Sequence, residues 1–183
     1  MQLRTKNTSN KSKALVGKIL NKTGGLSKPR KYFIKSIIIL YLSMRGRYTF
    51  KGMERYGNKC EKTYRLNFEQ RFDFLSFNIE LSKQHLSEER IVVFDPSYLP
   101  KSGKHTPGKG MFWSGCLGRA VQGIEIGGLG VVDIKQNTAF NLESIQTPSP
   151  SVLKTEGRTL VDHYASVIID RKDQLFEIAY PPT

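Results

Sequence analysis

One carboxylate in this sequence stands where an apolar segment gives way to a basic, glycine-containing loop. Residues 91–94 are β-branched or aromatic and uncharged, which is typical of a short buried strand. Asp95 follows directly, and Pro96 is expected to end the regular ladder, so Asp95 is predicted at the end of the strand. Carboxylates beside loops at strand ends often carry chemistry in α/β folds, although an Asp before a turn is also a frequent capping residue.

The residues after Asp95 follow an ordered pattern. Ser97 comes two positions later, residues 101–104 are Lys-Ser-Gly-Lys, residues 113–119 are Trp-Ser-Gly-Cys-Leu-Gly-Arg, and residues 130–133 are Gly-Val-Val-Asp. Over about residues 91–148, this order resembles the first catalytic block of insertion-sequence DDE transposases. The resemblance implies an RNase H-like catalytic domain that cleaves DNA at the ends of a mobile element and transfers the strand. It also implies a site for two Mg²⁺ ions, in which Asp95 is the first of three carboxylates.

The resemblance implies two further carboxylates that this sequence does not supply. The second Asp is expected shortly after Ile178, and the third, in a Tyr-x-x-Arg-x-x-x-Glu motif, is absent from the 183 residues. We therefore expect a truncated or frameshifted transposase that is inactive by itself. Asp133 is interpreted as a turn or strand-edge residue.

Two other chemistries are disfavoured by the sequence. The loop containing Gly103-Lys104 lacks the earlier glycine of a nucleotide-binding P-loop and has His105 where Ser or Thr is required. His85, His105 and His163 are scattered, with no nucleophile at a recognisable spacing, so a Ser-His or Cys-His hydrolase is unsupported. No small-molecule substrate is expected.

Positive charge is concentrated in the first half of the chain. Residues 1–90 contain 20 Lys or Arg against 7 Asp or Glu, which accounts for the whole net charge of +13, whereas residues 91–183 contain 9 of each. Such asymmetry is expected of a segment that lies on phosphates, which predicts a nucleic-acid partner. The resemblance implies that this partner is DNA at transposon ends and targets. A solvated basic tail and attraction to anionic lipid are the alternatives.

Apolar spacing predicts helices over about residues 14–20, 30–44, 50–56 and 61–81, with Ser27 capping the second. Short helices with brief breaks favour a helix-turn-helix-like DNA-binding region over residues 1–90. Basic residues around the third helix are the candidate DNA contacts: Arg45, Arg47, Lys51, Arg55, Lys59, Lys62 and Arg65.

Beyond residue 90 the pattern changes to strands, predicted over residues 91–94, 111–117 and 123–134. Residues 143–150 are predicted to be a loop and residues 153–175 a helix. The expected fold class is α+β: an all-α region, then the first half of an RNase H-like fold over residues 91–183, with three mostly antiparallel strands followed by a helix. Four cations are expected to approach the DNA backbone near Asp95: Lys101, Lys104, Lys109 and Arg119.

The remaining features concern location and partners. The longest apolar run, residues 37–42, is too short to span a bilayer, and the basic N-terminus lacks the apolar segment of a signal peptide. Cys60 and Cys116 are too few for a disulfide framework and are expected to be small core residues. We expect a cytoplasmic, nucleoid-associated protein that can act as a homodimer. A non-catalytic basic DNA-binding protein and an RNA-binding or ribosome-associated protein are the alternative functions.

Overall fold

The computed structural model describes residues 2–180, with side chains from residue 10 onward. The chain divides into two compact units between Leu81 and Ser82. Residues 82–90 belong to the second unit, because Ser87 donates hydrogen bonds to Asp133 and the Glu89 carbonyl accepts one from the Ile134 amide. The fold class is α+β, as predicted, with helices preceding a sheet.

The first unit is built from helices. They are α1 (Gln2–Lys22), α2 (Lys28–Ser43), α3 (Phe50–Tyr56), α4 (Glu61–Phe68) and α5 (Phe74–Ser82). The single helix predicted over residues 61–81 is wrong, because the chain breaks between α4 and α5. The Asp73 carboxylate there accepts a hydrogen bond from the Ser76 amide at 2.9 Å and caps the start of α5.

The core of the first unit draws buried side chains from each of the helices α1 to α5. Ser27 caps α2 as predicted, its hydroxyl accepting from the Arg30 amide at 3.4 Å. Tyr64 of α4 is buried against Phe33 of α2, with ring centroids 6.2 Å apart. Further members of this core are Val16, Ile19, Leu20, Ile34, Ile37, Leu40, Met44, Met53 and Phe77.

The second unit contains an antiparallel sheet of four strands among the described residues. They are β1 (Arg90–Pro100), β2 (Gly110–Ser114), β3 (Arg119–Asp133) and β4 (Thr138–Gln146). Gly123 of β3 lies opposite both Pro100 and Gly110, so β1 and β2 flank β3 on different sides. β4 pairs with the later part of β3, on the side away from β1.

Two predictions for this unit are wrong. β4 occupies much of the predicted loop, and the predicted helix over residues 153–175 is three helices: α6 (Pro150–Thr155), α7 (Leu160–Ile169) and α8 (Lys172–Ala179). Gly157 ends α6 with a φ of +67°, a conformation that suits glycine. Thr159 then starts α7 through a reciprocal capping box with Asp162.

The two faces of the sheet have different surroundings. Side chains alternate along a strand, so Phe94 and Asp95 point to opposite faces. Phe94 lies against Tyr164 of α7, with ring centroids 5.5 Å apart, and we call this side the helix face. The other side carries the odd-numbered side chains of residues 91–99, and we call it the Asp95 face.

Both cysteines are exposed, so the prediction that they are core residues is wrong. Cys60 precedes α4, and Cys116 lies in the turn between β2 and β3, where neither side chain is covered. Over the described residues 2–180, no helix combines the length and apolar character needed to cross a membrane.

Candidate functional site

Asp95 is exposed in the middle of β1, opposite Gly128 of β3. The prediction that it ends the strand is therefore wrong. In the described sheet β1 pairs with β3 alone, which makes it an edge strand. A proline fits an edge strand when its nitrogen, which carries no hydrogen, faces away from the neighbouring strand. Pro96 therefore interrupts no backbone hydrogen bond to β3.

Oxygen-bearing side chains lie beside Asp95 and across the sheet on the same face. The Ser97 hydroxyl lies 3.5 Å from the Asp95 carboxylate. Across the sheet, the Asn141 amide donates to the Ser144 hydroxyl at 3.3 Å. Gly128 and Gly130 separate these groups from β1. A methyl group added at Gly128 would lie 3.6 Å from the Asp95 carbonyl oxygen and 3.9 Å from Asn141 Oδ1, so the surface between them is open.

The basic loop of residues 101–109 lies on the same face as Asp95. Gln146, which lies opposite Ile126 and so belongs to the Asp95 face, donates from Nε2 to the Pro107 carbonyl at 2.7 Å. Lys101 and Lys104 are exposed in this loop. Lys109 is half-buried, and its ammonium donates to the Gly103 carbonyl at 3.0 Å. The loop therefore presents positive charge on the same face of the sheet as the carboxylate.

The last predicted cation of this unit, Arg119, starts β3 at the end of the β2–β3 hairpin. It is exposed and lies opposite Ser114. Trp113 and Ala120 form the next pair, and alternation places them on the Asp95 face whereas Arg119 points to the helix side. The structure thus brings the lysine loop to the face of Asp95 but directs Arg119 away from it.

Asp133 is a structural residue. It is fully buried and accepts hydrogen bonds from the amide and hydroxyl of Ser87 and, at 2.8 Å, from the Gln136 amide. Burial by itself raises the pKa of Asp133, but these hydrogen bonds outweigh it and hold the pKa below the ordinary Asp value. The interpretation of Asp133 as a turn residue agrees with this geometry.

A polar pair on the helix face was not found from the sequence. Glu125 of β3 is buried, and the Tyr164 hydroxyl donates to its carboxylate at 2.6 Å. Burial is the main cause, and this hydrogen bond the second, of a pKa for Tyr164 far above its ordinary value. His163 beside it is also buried, and burial lowers its pKa. Glu125 and Tyr164 are 39 positions apart, so no local signal predicts their contact.

The seven candidate DNA contacts of the first unit lie around α3 and α4. All but one are exposed, and Lys59 is half-buried. Arg65 pairs with Glu61 at 2.6 Å, and its guanidinium lies 4.8 Å from the Phe50 ring centroid. The exposed members in no ion pair within the described structure are Arg45, Arg47, Lys51, Arg55 and Lys62.

The connection between α3 and α4 is tight. It spans the four residues 57–60. A Cβ at Gly57 would collide with the Tyr64 hydroxyl and lie 2.6 Å from the Met53 carbonyl oxygen, so only glycine fits there. Tyr64 of α4 is buried, whereas Lys62 and Arg65 of the same helix are exposed to solvent.

Among residues 2–180, no group of three or more His, Cys, Asp or Glu side chains lies together in a way that could hold a metal ion. Comparisons with protein-family models, curated proteins and solved structures give no match to this chain.

Proposed function

We propose that the second unit is part of the catalytic domain of a DDE-type DNA transposase, with Asp95 as a metal-binding carboxylate. The observation that carries this proposal is the position of Asp95, exposed on an edge strand and on the same sheet face as the basic loop. DNA is anionic, so Lys101 and Lys104 can bind phosphates of a strand that lies along this face and reaches Asp95.

The order of the strands supports this proposal. β4, β3 and β1 lie side by side in alternating directions, and helices follow them in the chain. The RNase H-like fold implied by the resemblance begins with three antiparallel strands and a helix. β2 is an additional short strand that extends β3 as a hairpin.

The groups around Asp95 suit Mg²⁺ in kind, because the carboxylate and the Ser97 hydroxyl offer oxygen ligands. Mg²⁺ is commonly held by one or two carboxylates together with substrate phosphates. Asp95 would supply one of the three carboxylates that the resemblance implies. When bound, the metal would activate the attacking oxygen and stabilise the leaving one.

The test is Mn²⁺ binding in the presence of a DNA oligonucleotide, followed by the loss of the electron paramagnetic resonance signal of free Mn²⁺. The full chain should remove more free Mn²⁺ than DNA alone, and Asp95→Asn should abolish that excess. Asp170→Asn is the matched control, because Asp170 is an exposed carboxylate in the same unit. Equal Mn²⁺ uptake by the Asp95→Asn variant and the unaltered protein would contradict the metal-binding role.

A non-catalytic DNA-binding function is the second candidate, and the charge on α3 and α4 favours it. Two short helices joined by four residues, with cations on the outer side of the second, are the layout of a helix-turn-helix. In that arrangement α4 would lie at the major groove and Lys62 would contact a flanking phosphate. DNA binding that depends on Lys62, combined with Mn²⁺ uptake that does not depend on Asp95, would favour this second candidate.

A further inference from the structure

The β2–β3 hairpin exposes large apolar side chains on the Asp95 face. Met111 and Trp113 are 56% and 64% exposed, and they point the same way because they lie two positions apart on β2. The residues opposite them are Gln122 and Ala120. Ala120 is small, so the indole ring is open on the side toward β3.

The chain segment that contains this hairpin carries only positive charge. The sequence from residue 96 to residue 124 contains Lys101, Lys104, Lys109 and Arg119 and no Asp or Glu. A flat, exposed aromatic ring on the same sheet face as the lysine loop is complementary to a ligand that combines apolar planar groups with negative charge. Single-stranded nucleic acid has this combination, because its bases stack on aromatic rings while its phosphates lie against Lys and Arg.

We propose that the β2–β3 hairpin binds single-stranded DNA, with an unpaired base stacked on Trp113 against Met111. This inference rests on the proposed function and adds to it a substrate feature, an unpaired segment of the DNA. Duplex DNA would not provide this contact, because its bases are already stacked on each other.

The position of Trp113 relative to Asp95 sets the length of the unpaired segment. Gly128 of β3 lies opposite Asp95, and Ala120 of β3 lies opposite Trp113. Asp95 and Trp113 are therefore eight residues apart along the direction of β3. At about 3.3 Å per residue this is roughly 26 Å. One DNA strand carries a phosphate about every 3.4 Å when stacked. A strand with a phosphate at Asp95 would therefore bring a base to Trp113 about eight nucleotides away.

The experiment uses the intrinsic fluorescence of the full chain. Trp113 is the only tryptophan, so its emission reports on this site alone. A single-stranded oligonucleotide should quench the emission and protect the ring from acrylamide, whereas a duplex of the same sequence should do neither. Trp113→Ala should weaken single-strand affinity about tenfold, which corresponds to about 1.4 kcal/mol and lies within the range for base–aromatic stacking.

Two controls separate the outcomes. Phe176→Ala removes an aromatic side chain that is 66% exposed on α8 of the same unit, and it should leave single-strand affinity unchanged. Trp113→Phe should retain most of the affinity, since a ring remains. Duplex binding should be equal in all three variants.

Unchanged single-strand affinity in Trp113→Ala, with duplex binding intact, would refute this inference and leave the proposed function standing. If the unaltered protein bound neither single-stranded nor duplex DNA, both this inference and the proposed function would be refuted. Self-association that Trp113→Ala abolishes, measured by sedimentation without DNA, would instead assign the ring to contact with a second copy and also refute the inference.

Discussion

Duplex binding by the first unit should depend steeply on salt concentration, and the structure sets the expected slope. Arg65 is paired with Glu61 and Lys59 is half-buried, which leaves five of the seven candidate cations exposed and outside any ion pair in the described structure. Each phosphate neutralised contributes about −0.9 to the slope of log affinity against log salt. Five contacts therefore give a slope of about −4.5.

The perturbation is to remove one and then two of these charges. Lys62→Gln should reduce the magnitude of the slope by about 0.9, and the double variant Lys62→Gln, Arg55→Gln by about 1.8. Neither side chain is buried, so both variants should fold. Lys172→Gln is the control, because Lys172 is an exposed cation of the second unit.

The assay is fluorescence anisotropy of a labelled duplex, titrated at several salt concentrations between about 50 and 200 mM. The comparison of slopes matters more than the affinity at one salt concentration, because slopes count phosphate contacts. A double variant with the slope of the unaltered protein would show that Arg55 and Lys62 do not lie on phosphates. A slope near zero for the unaltered protein would refute the interpretation of its charge asymmetry.

Three further predictions concern the second unit. Leu129→Ala should lower the free energy of unfolding by about 3 kcal/mol, measured by urea unfolding, because Leu129 is fully buried. The control Leu117→Ala, at an exposed turn position, should lower it by less than about 0.5 kcal/mol. Asp133→Asn should destabilise the fold at neutral pH. The pKa of Asp133 is lowered in the folded state by hydrogen bonds that outweigh burial. Its contribution to the free energy of unfolding is therefore present above the ordinary Asp pKa of about 3.9 and is lost as the pH falls below it. Unfolding measured at pH 7 and at acidic pH should show a smaller acid-induced loss of stability in the variant than in the unaltered protein, and equal losses would contradict the role of Asp133. Pro96→Val should increase self-association in sedimentation velocity, because it adds an outward N–H to the edge of β1, whereas Pro107→Val in the basic loop should not.

The sequence predicted the helices whose ends carry their own signals. Ser27 caps α2 and the break after Tyr56 ends α3, and both features depend on residues within one turn of the helix. The break between α4 and α5 was missed because apolar residues continue through it, so the periodicity gave no sign of it. Asp73 is the only local cue, a capping residue three positions before Ser76.

Features that depend on register were beyond the sequence. The pairing of Gln146 with Ile126 is what places the lysine loop on the face of Asp95, and residues 143–146 of β4 were predicted as loop. The exposure of Trp113 likewise depends on its pairing with Ala120. Composition identified the cations, but the pairing of strands decides which of them lie near the carboxylate.

The proline that misled the strand prediction also strengthens the argument for Asp95. N–H and C=O groups of alternate residues point to opposite edges of a strand, so Pro96 and Pro100, which fit β1 only with their nitrogens outward, remove two of the donors along its open edge. Donors remain at Val92 and Phe94, which precede Asp95, and at Tyr98, which lies between the two prolines. A strand added to this edge would receive most of its hydrogen bonds along the part before Asp95, so it would bring its own side chains to the level of the carboxylate. A carboxylate on such an added strand would lie beside Asp95, as the proposed metal site needs.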